Sequence, residues 1–203
     1  MRVNKYGTIV LLWLLLSCGP PAFDGEEDLL AYIREPRHGY LHQKTVNDID
    51  FSLLYKPTDL MAAGELSVES APAGIDSLRH RYGQYMYFVL SMSAKNRELL
   101  NHVAGDRSRF GAMVNALSFY MDRNVHCFTP EKDTLPMIDF IYPRMYGMSR
   151  STDILLVYPR DKKYLRGEYL DISVADLGFR TGEVKFRIAT EVIHHEPQLK
   201  INE

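Results

Sequence analysis

A chain of 203 residues with a net charge of −2 and a quarter of its residues charged carries no broad positive field. That excludes nucleic acid as a natural partner and argues against adhesion to an anionic surface by charge. Two cysteines, Cys18 and Cys127, are too few for a disulfide framework, so stability has to come from packing. The length fits one domain or two small ones, with apolar content (46%) sufficient for a core.

The first residues read as an address. Met1-Arg2-Val3-Asn4-Lys5 supplies two cations, and residues 8–16 are apolar apart from Thr8, the n-region and h-region of a secretory signal. A membrane-crossing helix needs roughly 20 apolar residues; this run stops short at Ser17-Cys18-Gly19-Pro20-Pro21. Ordinary signal peptidase could use Ser17 and Gly19 as its small residues, but Pro20 would then follow the scissile bond, where its fixed ring fits poorly. Leu15-Leu16-Ser17-Cys18 instead resembles the bacterial lipobox. That resemblance implies a diacylglyceryl group on the Cys18 sulfur, cleavage before Cys18 and acylation of the new amine. Acyl burial contributes about 0.8 kcal/mol per methylene, so two or three chains hold a protein to membrane lipid for good. The expected organisation is a signal peptide over 1–17, a lipidated cysteine and solvated tether over 18–27, and a single domain over 28–203.

Within that domain, Leu29, Leu30 and Ile33 share a helical face behind first-turn acids, and Pro36 ends the helix. Residues 40–46 and 49–55 are extended runs separated by Asn47-Asp48, the signature of a β-hairpin. Pro57 opens a short helix, and 67–76 is expected as a surface loop. Residues 85–92 are apolar or aromatic throughout, as befits a central strand covered on both faces. Helical spacing follows over 95–103 and 109–117, with a break at Gly105-Asp106. Strands are expected at 137–142 and 154–158, each closed by a Pro-Arg pair because proline has no N–H to donate. Residues 169–174 form another strand, and Val184, Phe186 and Ile188 alternate with charges on a strand with one wet face. The glycines of 176–182 join these two. Together these elements define an α+β domain with a mainly antiparallel sheet and a few short helices.

The lipobox, Tyr32-Ile33-Arg34-Glu35-Pro36-Arg37-His38-Gly39, Leu54-Tyr55-Lys56-Pro57-Thr58-Asp59-Leu60 and Asp176-Leu177-Gly178-Phe179-Arg180-Thr181-Gly182 together resemble uncharacterised envelope lipoproteins of the Bacteroidota. The resemblance implies an outer-membrane address and brings no activity, cofactor or catalytic residue with it.

Candidate chemistry is sparse. His194-His195-Glu196 could suggest a metal, but neighbours on a strand point to opposite faces, so an exposed polar chain end is expected. His38 and His42 have ligand spacing only on a helix, and Gly39 between them argues for a turn. His126-Cys127 could be an activated thiol; a lone cysteine with apolar flanks is more often a small buried hydrophobe. Asp48, Asp50 and Asp59 lack the glycine-containing spacing of a calcium loop and are expected as solvated turn acids. Tyr82, Tyr85 and Tyr87 could make a glycan or protein platform but are expected as packing residues. No G-x-S-x-G, S-x-x-K, P-loop or H-E-x-x-H is present, so no metal or cofactor is expected. The expected function is a membrane-anchored, non-catalytic binding or assembly module of the cell envelope with an envelope protein as partner. The alternative is an envelope hydrolase or glycan-binding accessory whose acids and tyrosines meet only in the fold.

Overall fold

A computed structural model describes residues 19–66, 74–145 and 147–200. The first elements are β1 (Ala22–Phe23), α1 (Glu26–Arg34), β2 (Leu41–Val46), β3 (Ile49–Lys56), α2 (Thr58–Leu66), α3 (Ile75–Tyr82) and β4 (Tyr85–Ala94). The chain continues through α4 (Leu99–Val103), α5 (Arg107–Phe119), α6 (Met121–Asn124), β5 (Val125–Phe128), β6 (Thr134–Leu135), β7 (Asp139–Ile141) and β8 (Thr152–Pro159). It ends with β9 (Tyr169–Val174), β10 (Val184–Ala189), α7 (Thr190–His194) and β11 (Gln198–Leu199). Two antiparallel sheets with short helices make this the α+β fold expected from the periodicity.

The larger sheet has the order β2-β3-β4-β8-β7. Its hairpin turns at Asn47 and Asp48, with φ of 49° and 62°, the paired positive values of a tight turn whose twist matches its strands. β4 lies in the middle, as its unbroken apolar run predicted. On its inner face Met86, Phe88, Leu90 and Met92 are fully buried, and Phe88 pairs in register with Tyr55 of β3 and Leu156 of β8. The two Pro-Arg pairs do close neighbouring strands, since β7 pairs with β8.

The smaller sheet runs β10-β9-β5-β6. Val184, Phe186 and Ile188 are buried while Lys185 and Arg187 are exposed, the half-wet strand that alternation required. Lys44 of β2 sits 5.7 Å from the Phe186 ring centroid, and buried residues of both sheets belong to one apolar cluster.

Several expectations are corrected. The segment expected as a free tether contains β1, which pairs in parallel with β11 through Ala22↔Gln198 and Phe23↔Leu199. Phe23 packs against Tyr32 with ring centroids 5.0 Å apart, and Glu26, Glu27 and Asp28 form the first turn of α1, where acids complement the helix dipole. Tether composition is thus also helix-start composition. The helix expected over 95–103 begins only at Leu99, because Lys95 and Asn96 turn the chain back while Ala94 and Arg97 exchange backbone hydrogen bonds of 3.0 and 3.2 Å. Of the loop expected over 67–76, residues 67–73 lie outside the described residues, and Ile75 and Asp76 open α3.

Burial raises the pKa of four tyrosines. Desolvation, ahead of the neighbouring charges, pushes Tyr40, Tyr55 and Tyr158 well up and Tyr87 up to about 12. A folded pKa above the unfolded value of about 10 gives stability that is complete below pH 10 and lost as pH rises through the folded value. At pH 11, tyrosinate absorbance of the native protein is therefore expected to fall short of that of the same protein unfolded, with the remainder appearing when urea is added. Full ionisation before unfolding would contradict this packing.

Candidate functional site

At the end of the larger sheet where β3 begins and β4 finishes, the fold opens a cleft of about 540 Å³. Four separate segments meet there: the hairpin turn at Asn47-Asp48, the turn at Lys95, the α4–α5 region through His102 and Arg109, and the 176–182 loop through Phe179 and Arg180. A smaller hollow of about 270 Å³ adjoins it and shares Arg109 and Gly178.

Local chemistry builds each wall. Asp106 caps α5 by accepting the Arg109 N–H at 3.0 Å, the ordinary role of aspartate at that position. The Arg109 guanidinium then reaches across to donate to the Gly178 carbonyl at 3.0 Å. Asp176 organises the opposite loop by accepting the N–H groups of Gly178 and Phe179 at 2.9 and 2.8 Å. Partial burial opposes ionisation of Asp176, but these donors outweigh it and hold the carboxyl below the usual carboxylate range. The Asn47 amide donates to the Arg180 carbonyl, tying the hairpin to the loop, and Phe179 lies 5.7 Å from His102, ring to ring.

The electrostatics are one-sided. Lys95, Arg109 and Arg180 are the basic residues of its lining and Asp48 is the acidic one. Among the described residues none of the three cations is ion-paired with a carboxylate. Lys95 and Arg180 also hold left-handed backbone, with φ of 52° and 59°, where a Cβ costs roughly 1 kcal/mol and glycine or asparagine would be at ease. Concave shape, an apolar flank of Ile49, Ala94 and Phe179 and cationic residues in the lining are the features of a small-ligand site.

The residues singled out from the sequence are scattered. Cys18 lies outside the described residues. Cys127 is fully buried, and desolvation, with Asp171 adding to it, drives its thiol pKa far up; it is the small hydrophobe expected, not a nucleophile. His38 Nδ1 donates to the Tyr32 carbonyl, 2.7 Å away, and its ring stacks on that of Tyr32, while His42 Nε2 donates to the Gly39 carbonyl at 2.9 Å. His194 and His195 belong to α7 and its end, not to a strand, because Thr190 and Ile193 bury one helical face. Glu196 is not an exposed chain end: its side chain is 13% exposed and lies 2.7 Å from Arg160. Nor is Asp59 a solvated turn acid, since it is buried and takes two hydrogen bonds of 2.8 Å from Arg79. Tyr82 and Tyr85 pack edge-on against the buried Tyr87. Among the described residues no group of three or more His, Cys, Asp or Glu could hold a metal ion.

No family model, curated protein or solved structure matches the chain. Among the described residues no helix is long and apolar enough to cross a membrane.

Proposed function

We propose that this protein is a lipoprotein of the cell envelope, anchored through acylated Cys18 in the outer membrane as the resemblance to Bacteroidota lipoproteins implies, and that its α+β domain binds rather than catalyses. The observation carrying the anchor is the lipobox Leu15-Leu16-Ser17-Cys18 directly behind an apolar run too short to span a bilayer. The cleft supports the binding half. It gathers cations around an apolar flank, and its carboxylates are otherwise engaged, Asp106 on the Arg109 N–H and Asp176 on those of Gly178 and Phe179, which leaves Asp48 without the second acid that glycoside hydrolysis requires. The envelope protein partner expected from the sequence remains part of the proposal, with the anchor keeping both at one membrane.

Expressed in a bacterial host that processes lipoproteins, the parent chain is expected to fractionate with membranes, take up labelled fatty acid and show an intact mass matching cleavage before Cys18 plus acyl chains. Cys18→Ser should lose the label and leave the membrane fraction. A variant that stays equally membrane-bound, with no label on the parent, would refute the reading.

A further inference from the structure

We propose that the cleft binds a soluble phosphoryl anion carrying two or more charges, at the end of the domain that faces away from its membrane anchor; the orientation rests on the lipoprotein reading above, the binding chemistry does not.

The anion class follows from the donors. Lys95, Arg109 and Arg180 line the cleft from three segments, with Asp48 the one carboxylate residue among its lining and Asp176 engaged behind the loop with the N–H groups of Gly178 and Phe179. Planar guanidinium forks match phosphoryl oxygens two at a time, and an ammonium adds a point charge. Three cations and one carboxylate among the lining residues leave a net charge of +2, which a ligand with one charge would only half compensate. Arg109 is already oriented by the Gly178 carbonyl, so less ordering remains for binding to impose. Lys95 and Arg180 stand where the backbone favours glycine or asparagine. Neither makes an ion pair among the described residues that would account for a cation there. Strain of that kind, retained at a concave surface, is a recurrent mark of binding sites. Phe179 and His102, 5.7 Å apart, give a wall for a planar or apolar group attached to the phosphate.

The orientation follows from topology. The anchor-side element β1 pairs with β11. β11 in turn is held by Asp59, which accepts the Leu199 N–H at 2.7 Å, and Asp59 sits in α2 just past the end of β3. The cleft lies where β3 starts, at Ile49. Eight strand residues, at about 3.3 Å each, separate the two ends by roughly 23 Å. Only three residues, Gly19 to Pro21, stand between Cys18 and β1, so the tether is too short to turn the cleft back onto its own bilayer. Phospholipid headgroups carry the same chemistry but not at that height.

The test is calorimetric titration of sodium pyrophosphate into the full chain purified in detergent, alongside the double variant Lys95→Asn with Arg180→Gly. Both substitutions suit left-handed backbone, so the variant should melt no lower than the parent while losing affinity at least about tenfold, the worth of one charge-assisted hydrogen bond. Should the variant melt lower, Arg109→Gln takes its place in the comparison. Absence of binding to the parent at millimolar pyrophosphate overturns the proposal, as does equal affinity in the variants. A second arm places the anchored protein in phosphatidylcholine nanodiscs with and without phosphatidylglycerol. Pyrophosphate affinity unaffected by phosphatidylglycerol is expected; displacement by it would overturn the membrane-distal assignment. The detergent titration stands whether or not the protein is acylated, so a failed anchor and a failed cleft give different results.

Discussion

Replacing Arg160 with methionine is expected to destabilise the domain by about 3–5 kcal/mol, seen as a lower urea midpoint at unchanged m-value, because it strands a carboxylate. Arg160 and Glu196 side chains are 20% and 13% exposed and 2.7 Å apart. The guanidinium also donates to the Ile193 carbonyl, to Thr58 Oγ1 at 3.2 Å and to Tyr55 Oη at 3.3 Å. Glu196 accepts from the Tyr55 hydroxyl and from the Thr58 N–H at 3.2 Å. One ion pair therefore bolts together the end of β3, the start of α2, the end of β8 and the segment after α7. With the cation gone, Glu196 keeps only neutral donors in a place that water barely reaches. Removing both charges, as Arg160→Met with Glu196→Met, is expected to be less damaging than Arg160→Met alone, since an apolar pair leaves no buried charge unpaired. Additive losses in that double-mutant cycle would mean that the two groups do not act as a unit.

The same network shows where the sequence stopped being readable. Features that repeat along the chain were legible: the hairpin at Asn47-Asp48, the central β4, the alternation of β10 and the Pro-terminated β7 and β8 all follow from local sterics and burial of one face. Glu196 and Asp59 were not, because their partners Arg160 and Arg79 lie 36 and 20 positions away and no spacing rule connects them. A charged residue next to histidines at a chain end, or beside a helix-opening proline, looks solvated until the fold brings an arginine to it. The cleft fails in the same way. Lys95 and Arg109 lie 14 positions apart in a turn and a helix, and Arg180 lies 71 positions further on in a loop, so no spacing rule brings the three together. One local signal was available: Lys95-Asn96 directly after an apolar strand is turn-like in the same manner as Asn47-Asp48, which would have placed both turns at one end of the sheet.

The second large effect is expected at Asp59. Asp59→Ala should lower stability by about 2–4 kcal/mol, the loss of charge-assisted bonds together with a partly covered arginine left with only the exposed Asp76, 3.7 Å away, as a carboxylate partner. The loss should also have a location. Asp59 is 6% exposed and Arg79 33%. Besides its two bonds from Arg79, the carboxylate accepts the Leu199 N–H, while Arg79 donates to the Leu199 carbonyl at 2.8 Å. Leu199 is thereby gripped through both backbone polar groups, and it is the residue that pairs with Phe23 of β1. Without the carboxylate, the Leu199 N–H loses its acceptor, and β11 keeps its short pairing with β1, the burial of its side chain and a bond from an Arg79 that Asp59 no longer orients. Hydrogen exchange should accelerate at Leu199 and in α3, where Arg79 resides, well before the strands of the larger sheet respond. Asp59→Asn should fall in between, because an amide oxygen can still accept from Leu199 but no longer balances the guanidinium. Uniform loss of protection across the domain would instead mean that Asp59 supports the whole core and not a latch at the chain ends. The latch matters for the anchor, since any pull from the membrane reaches β1 first, and β1 shares it between α1, through the chain and the Phe23–Tyr32 contact, and β11, which this carboxylate holds.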